Sequence, residues 1–146
     1  MTITMNPADY FWLAVAGGII IIVLIWLVVR RMKSAGAEDY IVDRVKQQWA
    51  GIEQLLEQNS DVSWKLAIME ADKLLDYALK SVGFPGKDLG ERLRSAAYRH
   101  PQIRDVWPAH KARNRLVHET DYHLDARTAR SALQQFKRAL QTLRVL

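Results

Sequence analysis

The residues best suited to chemistry stand close together in Arg113-Asn114-Arg115-Leu116-Val117-His118. Arginine offers a fixed fork of N–H donors that matches a phosphate, asparagine an amide that orients its neighbours, and histidine a proton carrier near neutral pH. These are the parts of a metal-free phosphodiester cleavage. On a helix turning ~100° per residue, Asn114 and His118 stand one turn apart on one face, whereas Arg113 is rotated ~140° from His118. A single helix therefore spreads the three groups over an arc. His110 falls in the same arc, and so does Asp121 if the helix reaches it.

Other chemistries fail on composition or spacing. The chain has no cysteine, which removes disulfides, thiolate metal sites and thiol nucleophiles together. The stretch from His118 to His123 looks superficially like a zinc protease segment, but those histidines are five apart and the zinc motif needs them four apart on one helical face. There is no glycine-rich phosphate loop, and no serine nucleophile with motif support. Neither a metal nor an organic cofactor is expected.

The elements that must position Arg113, Asn114 and His118 read as helices. Only 4 Pro and 7 Gly punctuate 146 residues, too few for a sandwich or barrel of many short strands. From residue 40 onward the apolar spacing predicts five helices. The first carries Tyr40, Ile41, Val45, Trp49, Ile52, Leu55 and Leu56 and ends near Asn59. The second, capped by Ser60 or Asp61, carries Trp64, Ile68, Ala71, Leu75, Ala78, Leu79 and Val82 and stops at Gly83-Phe84-Pro85-Gly86. As the widest stripe it is expected at the centre of the core.

A short helix over 88–98 follows, with Leu89, Leu93, Ala96 and Ala97 inward, and then a loop over 101–107. Pro108 suits the first turn of a fourth helix, which is expected to run to about Thr120. Asp125 caps the last, whose apolar face holds Ala129, Ala132, Leu133, Phe136, Leu140, Leu143 and Val145. The expected fold is all-α, a bundle of about five helices over residues 40–146.

A separate feature precedes the bundle. Phe11 to Val29 is a run of 19 residues without charge or proline. At 1.5 Å per residue it reaches ~28 Å, close to the ~30 Å hydrocarbon thickness of a bilayer. Tyr10, Phe11, Trp12 and Trp26 suit the two interfaces. Arg30, Arg31 and Lys33 follow the run, while only Asp9 precedes it. Residues 1–33 therefore read as a membrane anchor spanning 11–29, with the N-terminus outside and the rest on the cytoplasmic side of a bacterial-type membrane. A cleaved signal ending at Ala35-Gly36-Ala37 is the rival reading, but its positive charges would precede a shorter apolar core. Residues 34–39 read as a linker of small residues.

The motif and its surroundings carry a resemblance. Arg113-Asn114-x-x-x-His118, late in a small helical bundle, resembles the Arg-x4-His motif of the HEPN superfamily. The stretch from Ala67 to Asp76 in an earlier helix, and that from Ala109 to Glu119 ahead of a final amphipathic helix, also resemble small bacterial HEPN-like proteins. The resemblance covers residues 61–145 and leaves out the apolar run. It implies an up-and-down bundle that commonly dimerises with the motif helices of two chains facing each other. Catalytic members are ribonucleases in which the RNA 2′-hydroxyl attacks the adjacent phosphate without a metal. Carried over, Arg113 binds the scissile phosphate, Asn114 orients it or its neighbours, and His118 is general acid or base. Other members bind RNA or proteins without cutting. Toxin-type members often have Tyr two residues after the histidine, where this chain has Thr120, with Tyr122 further on.

Two readings of the motif stay open. Arg113 can instead pair with Glu70, Asp72 or Asp76 of the second helix, and Asn114 with His118 can complete a buried polar network. His100 and His123 read as exposed helix-end residues, and His110 as a support or a surface group. The charge is also two-sided. Residues 40–146 hold 18 bases and 13 acids, hence the whole formal charge of +5. Arg92, Arg94 and Arg99, with Arg127, Arg130, Lys137, Arg138 and Arg144, suit a phosphate-rich partner such as RNA, an anionic lipid surface, or simply solvated helix faces. The partners expected are thus a bilayer through residues 11–29, RNA, a second copy of the chain and an unidentified protein.

Overall fold

In the computed structural model the backbone is described from residue 7 to residue 146, with side chains over 15–29 and 38–146. The described residues form helices and no strand: α1 (Pro7–Glu57), α2 (Asp61–Ser81), α3 (Leu89–Arg99), a 3-10 helix (Pro101–Val106), α4 (Trp107–His118) and α5 (Ala126–Thr142). The chain divides into two compact units, the second running from Tyr40 to Leu146. Residues 34–39, expected as a linker, are helical within α1. Ala35, Ala37 and Glu38 favour helix there, and Gly36 costs only ~1 kcal/mol against alanine.

In the first unit Ile19 to Val29 are helical and exposed all round, with relative exposures of 43–67%. Among the described residues no helix is long and apolar enough to cross a membrane. The expected span of 11–29 begins in residues 11–14, and its basic flank is Arg30, Arg31 and Lys33; these side chains lie outside the described residues.

The second unit is built around α2, which touches α3, α4 and α5. Ile68, Ala71, Leu75, Ala78 and Leu79 recur at helical spacing and are fully buried, as the periodicity requires. Against them lie Leu133, Phe136 and Leu140 of α5, Leu93 of α3, and Val45, Trp49 and Ile52 of α1. Val82 and Tyr40, expected inward, are exposed, because each stands at an end of its stripe, beyond the packed turns. His100, expected outside, is half-buried with its ring 6.0 Å from that of Phe84.

The helix ends follow their residues. Ser60 and Ser63 cap α2 reciprocally, each hydroxyl accepting the other's backbone N–H at 3.1 Å. At the other end Phe84 N–H donates to Leu79 O at 2.9 Å and Gly83 N–H to Lys80 O at 3.1 Å, with Gly83 at φ 88°. This is a Schellman motif with glycine at its left-handed position. Asp125 caps α5 by accepting the Thr128 N–H at 2.6 Å, and that bond holds its carboxyl below the usual range.

Two stretches around the motif differ from expectation. The supposed loop over 101–107 is a 3-10 helix followed by the first residue of α4. Ile103 and Val106, three apart and fully buried, match the three-residue turn of that helix and carry no 3.6-residue signal. Helix α4 ends at His118 rather than Thr120, since Glu119 takes an extended backbone at φ −110° and ψ 115°.

Candidate functional site

Helix α4 turns Ala109 and Ala112 inward, and their small side chains let it lie close to α5. Its second N-terminal residue is Pro108, and the Ala109 N–H just beyond is satisfied by Gln135 Oε1 of α5 at 3.0 Å. The helix is thus held at its start, and the same rotation turns His110, Arg113 and Asn114 toward α2.

There they meet Asp72. Its side chain is only 7% exposed, and a carboxylate so placed needs partners. His110 Nδ1 lies 2.7 Å from Asp72 Oδ1, and Arg113 Nε lies 3.2 Å from Oδ2. A carboxylate only accepts, so Nδ1 carries the proton, and in the neutral ring the other nitrogen of His110 is the acceptor. Asn114 Nδ2 donates to it at 3.3 Å, and Asn114 Oδ1 accepts from Arg113 Nη1 at 3.2 Å. The four residues close a ring in which each hydrogen bond fixes the direction of the next. The last side is ionic: Arg113 Nε is enclosed and near Asp72, but off the line of a hydrogen bond.

This ring floors an open cleft of about 630 Å³ between α2, α3 and α4. Trp107 stands over it, ring centroid 5.8 Å from that of His110, and lines the cleft opposite Leu89 and Gly90 of α3. Arg94, Lys73 and Lys111 add cations, Asp76 and Asp88 add acids. The acids are already engaged. Asp76 holds Arg92 of α3, and Asp88 caps α3 by accepting the Glu91 N–H at 2.8 Å. Lys73 pairs with Glu70 at 2.8 Å, while Arg94 and Lys111 enter no ion pair among the described residues.

Of the residues expected at the site, Arg113 and Asn114 line the cleft together and His118 does not. His118 is the last residue of α4, exposed, two turns beyond His110; Asp121 is exposed further on. Among Glu70, Asp72 and Asp76, the partner of Arg113 is Asp72. His110 takes the place beside Asn114 that the sequence reading gave to His118. One signal for Asp72 was present: it is the one acid on the otherwise apolar face formed by Ile68, Ala71 and Leu75. Among the described residues no group of three His, Asp or Glu side chains is placed to hold a metal ion.

Compared with known proteins, the chain matches no family model, no curated protein and no solved structure. Arg113 and Asn114 are spent on the ring, leaving a preorganised floor, an aromatic wall and two unengaged cations. That arrangement is suited to holding an anionic, partly aromatic ligand.

Proposed function

We propose that this chain is a membrane-anchored, HEPN-like helical module that binds RNA at the cleft of α2, α3 and α4 without cutting it. The observation that carries the reading is the commitment of Arg113 and Asn114 to Asp72 and His110, under a cleft that offers Trp107, Arg94 and Lys111. A ribonuclease using Arg113, Asn114 and His118 requires the three to converge on one phosphate. Within one chain His118 stands apart, so cleavage requires a homodimer in which a second chain brings its histidine to the cleft. The exposed position of His118 is what favours this second reading.

The anchor is residues 11–29. Its described part is helical, uncharged and apolar on every side, a pattern suited to lipid rather than to water. The basic residues after it place the C-terminal unit on the cytoplasmic side.

The test uses the full chain in vesicles of neutral lipid, mixed-sequence RNA and EDTA, beside a His118→Ala variant. The expected result is that protein floats with the vesicles, RNA is retained by both proteins, and it stays intact. Cleavage by the unaltered chain alone, leaving 2′,3′-cyclic phosphate ends, overturns the non-cutting reading in favour of the nuclease. Failure to retain RNA overturns both.

A further inference from the structure

Trp107 and Arg94 line a second depression as well as the cleft. This groove, about 290 Å³, lies on the outer side of α3 and is completed by Ala97, Tyr98 and Arg104. Arg94, Ala97 and Tyr98 stand at positions i, i+3 and i+4 of α3 and so share one face. Arg104 and Trp107 come up beside them from the 3-10 helix and the start of α4. Ala97 is the floor, buried and small.

The lining has an unusual composition. Tyr98 is 88% exposed, and nothing among the described residues of its own unit covers it. Arg94 and Arg104 enter no ion pair among the described residues, and no carboxylate lines the groove. Cleft and groove share Trp107 and Arg94, so together they form a path that sets three cations, Lys111, Arg94 and Arg104, among two aromatic side chains, Trp107 and Tyr98, while the carboxylates of the cleft are engaged within the unit. Alternating phosphates and exposed bases are what such a path complements. A duplex hides its base faces and offers only the phosphates.

We infer that the path from the cleft over Trp107 to Tyr98 and Arg104 is a binding track for single-stranded nucleic acid, with bases stacking on Trp107 and Tyr98 and phosphates meeting Arg94, Arg104 and Lys111. This rests on the RNA-binding reading and goes beyond it by fixing the form of the ligand and a second subsite outside the motif. Tyr98 and Arg104 are both exposed, so replacing them leaves the core untouched.

The experiment measures fluorescence anisotropy of a labelled, unstructured 12-residue RNA on the full chain in neutral-lipid nanodiscs. Tyr98→Ala, Tyr98→Phe and Arg104→Gln are compared, each with its helix content checked by circular dichroism. The expected result is a loss of roughly 5- to 150-fold in affinity for Tyr98→Ala, the range set by one stacked base, and near-full affinity for Tyr98→Phe. Arg104→Gln is expected to reduce the slope of log affinity against log salt by about 0.7, one phosphate contact on a single strand. Unchanged binding in both Tyr98→Ala and Arg104→Gln overturns the track and leaves the RNA reading standing; no binding by the unaltered chain overturns the RNA reading itself. Equal affinity for a matched duplex overturns the single-strand assignment. Complete displacement by equimolar adenosine monophosphate reduces the site to one nucleotide and overturns the track. Binding only to added anionic vesicles assigns the basic surface to lipid and overturns it too.

Discussion

Asp72 is the residue on which the cleft floor depends. It is the least exposed member of the ring, accepting a hydrogen bond from His110 and pairing ionically with Arg113, so its loss leaves His110 Nδ1 without an acceptor and Arg113 without its counter-charge. Asp72→Ala is expected to lower stability by about 2–4 kcal/mol, the cost of stranding partly buried polar partners. Thermal unfolding of the full chain in mild detergent checks this, and a loss below 1 kcal/mol would show that the ring is dispensable. The same residue marks how far the sequence reading reached. Arg113 and Asn114 were legible as a pair because their residue types suit phosphate chemistry. Asp72 was one of three acids considered, since periodicity gives a face but not the turn that meets a given residue of another helix. His118 lies away from the cleft for a related reason. It is helical and one turn from Asn114, as the helical wheel gives, but it stands at the exposed end of α4, and the polar floor centres two turns earlier, where α2 brings Asp72 opposite His110.

At the level of elements, two helices end in the same motif with different residues. Helix α5 closes as α2 does: Arg144 N–H donates to Gln141 O at 2.9 Å and Val145 N–H to Leu140 O at 3.2 Å. Here the left-handed position, φ 58°, is held by Arg144 instead of glycine. A side chain in that conformation carries a penalty of about 1–2 kcal/mol. Arg144→Gly is therefore expected to raise stability by about 1 kcal/mol, and Gly83→Ala to lower it by a similar amount, both read from denaturant midpoints. An unchanged midpoint in both would contradict the left-handed assignment. Gly83-Phe84-Pro85-Gly86 announced its turn in the sequence, because glycine and proline are chemical stop signals. Arg144 gave no such signal: the buried Val145 beyond it secures the turn, and that is tertiary information. The 3-10 helix over Pro101–Val106 was missed likewise, since two buried residues three apart do not make a recognisable period.

For the molecule as a whole, the all-α character and the central place of α2 were legible, because strong amphipathic stripes leave few alternatives. What joins the helices was not. Glu53 of α1 accepts from Lys137 of α5 at 2.7 Å and from Trp49 Nε1 at 2.8 Å, bonding residues 84 positions apart. The Lys137 bond first, then that of Trp49, holds the Glu53 carboxyl below its ordinary value. A lowered folded-state pKa gives stability that is present above the unfolded value and lost as pH falls through the folded one. The stability difference between the unaltered chain and Glu53→Gln is thus expected to be larger at pH 7 than at pH 3, as read from melting temperatures at the two pH values. A difference independent of pH would mean that the carboxylate charge contributes nothing.

The closed ring of Asp72, His110, Asn114 and Arg113 also constrains descent with modification. Because three sides of the ring are directed hydrogen bonds, a member that changes its hydrogen-bonding sense forces a change on its neighbour: Asn114→Asp, for instance, puts an acceptor where His110 now meets a donor. Single steps away from this quartet all pass through a broken circuit, whereas coordinated replacements need not, so its substitution effects are non-additive. The four positions are expected to be inherited as a block, kept together or lost together, even in descendants that have given up whatever the cleft holds.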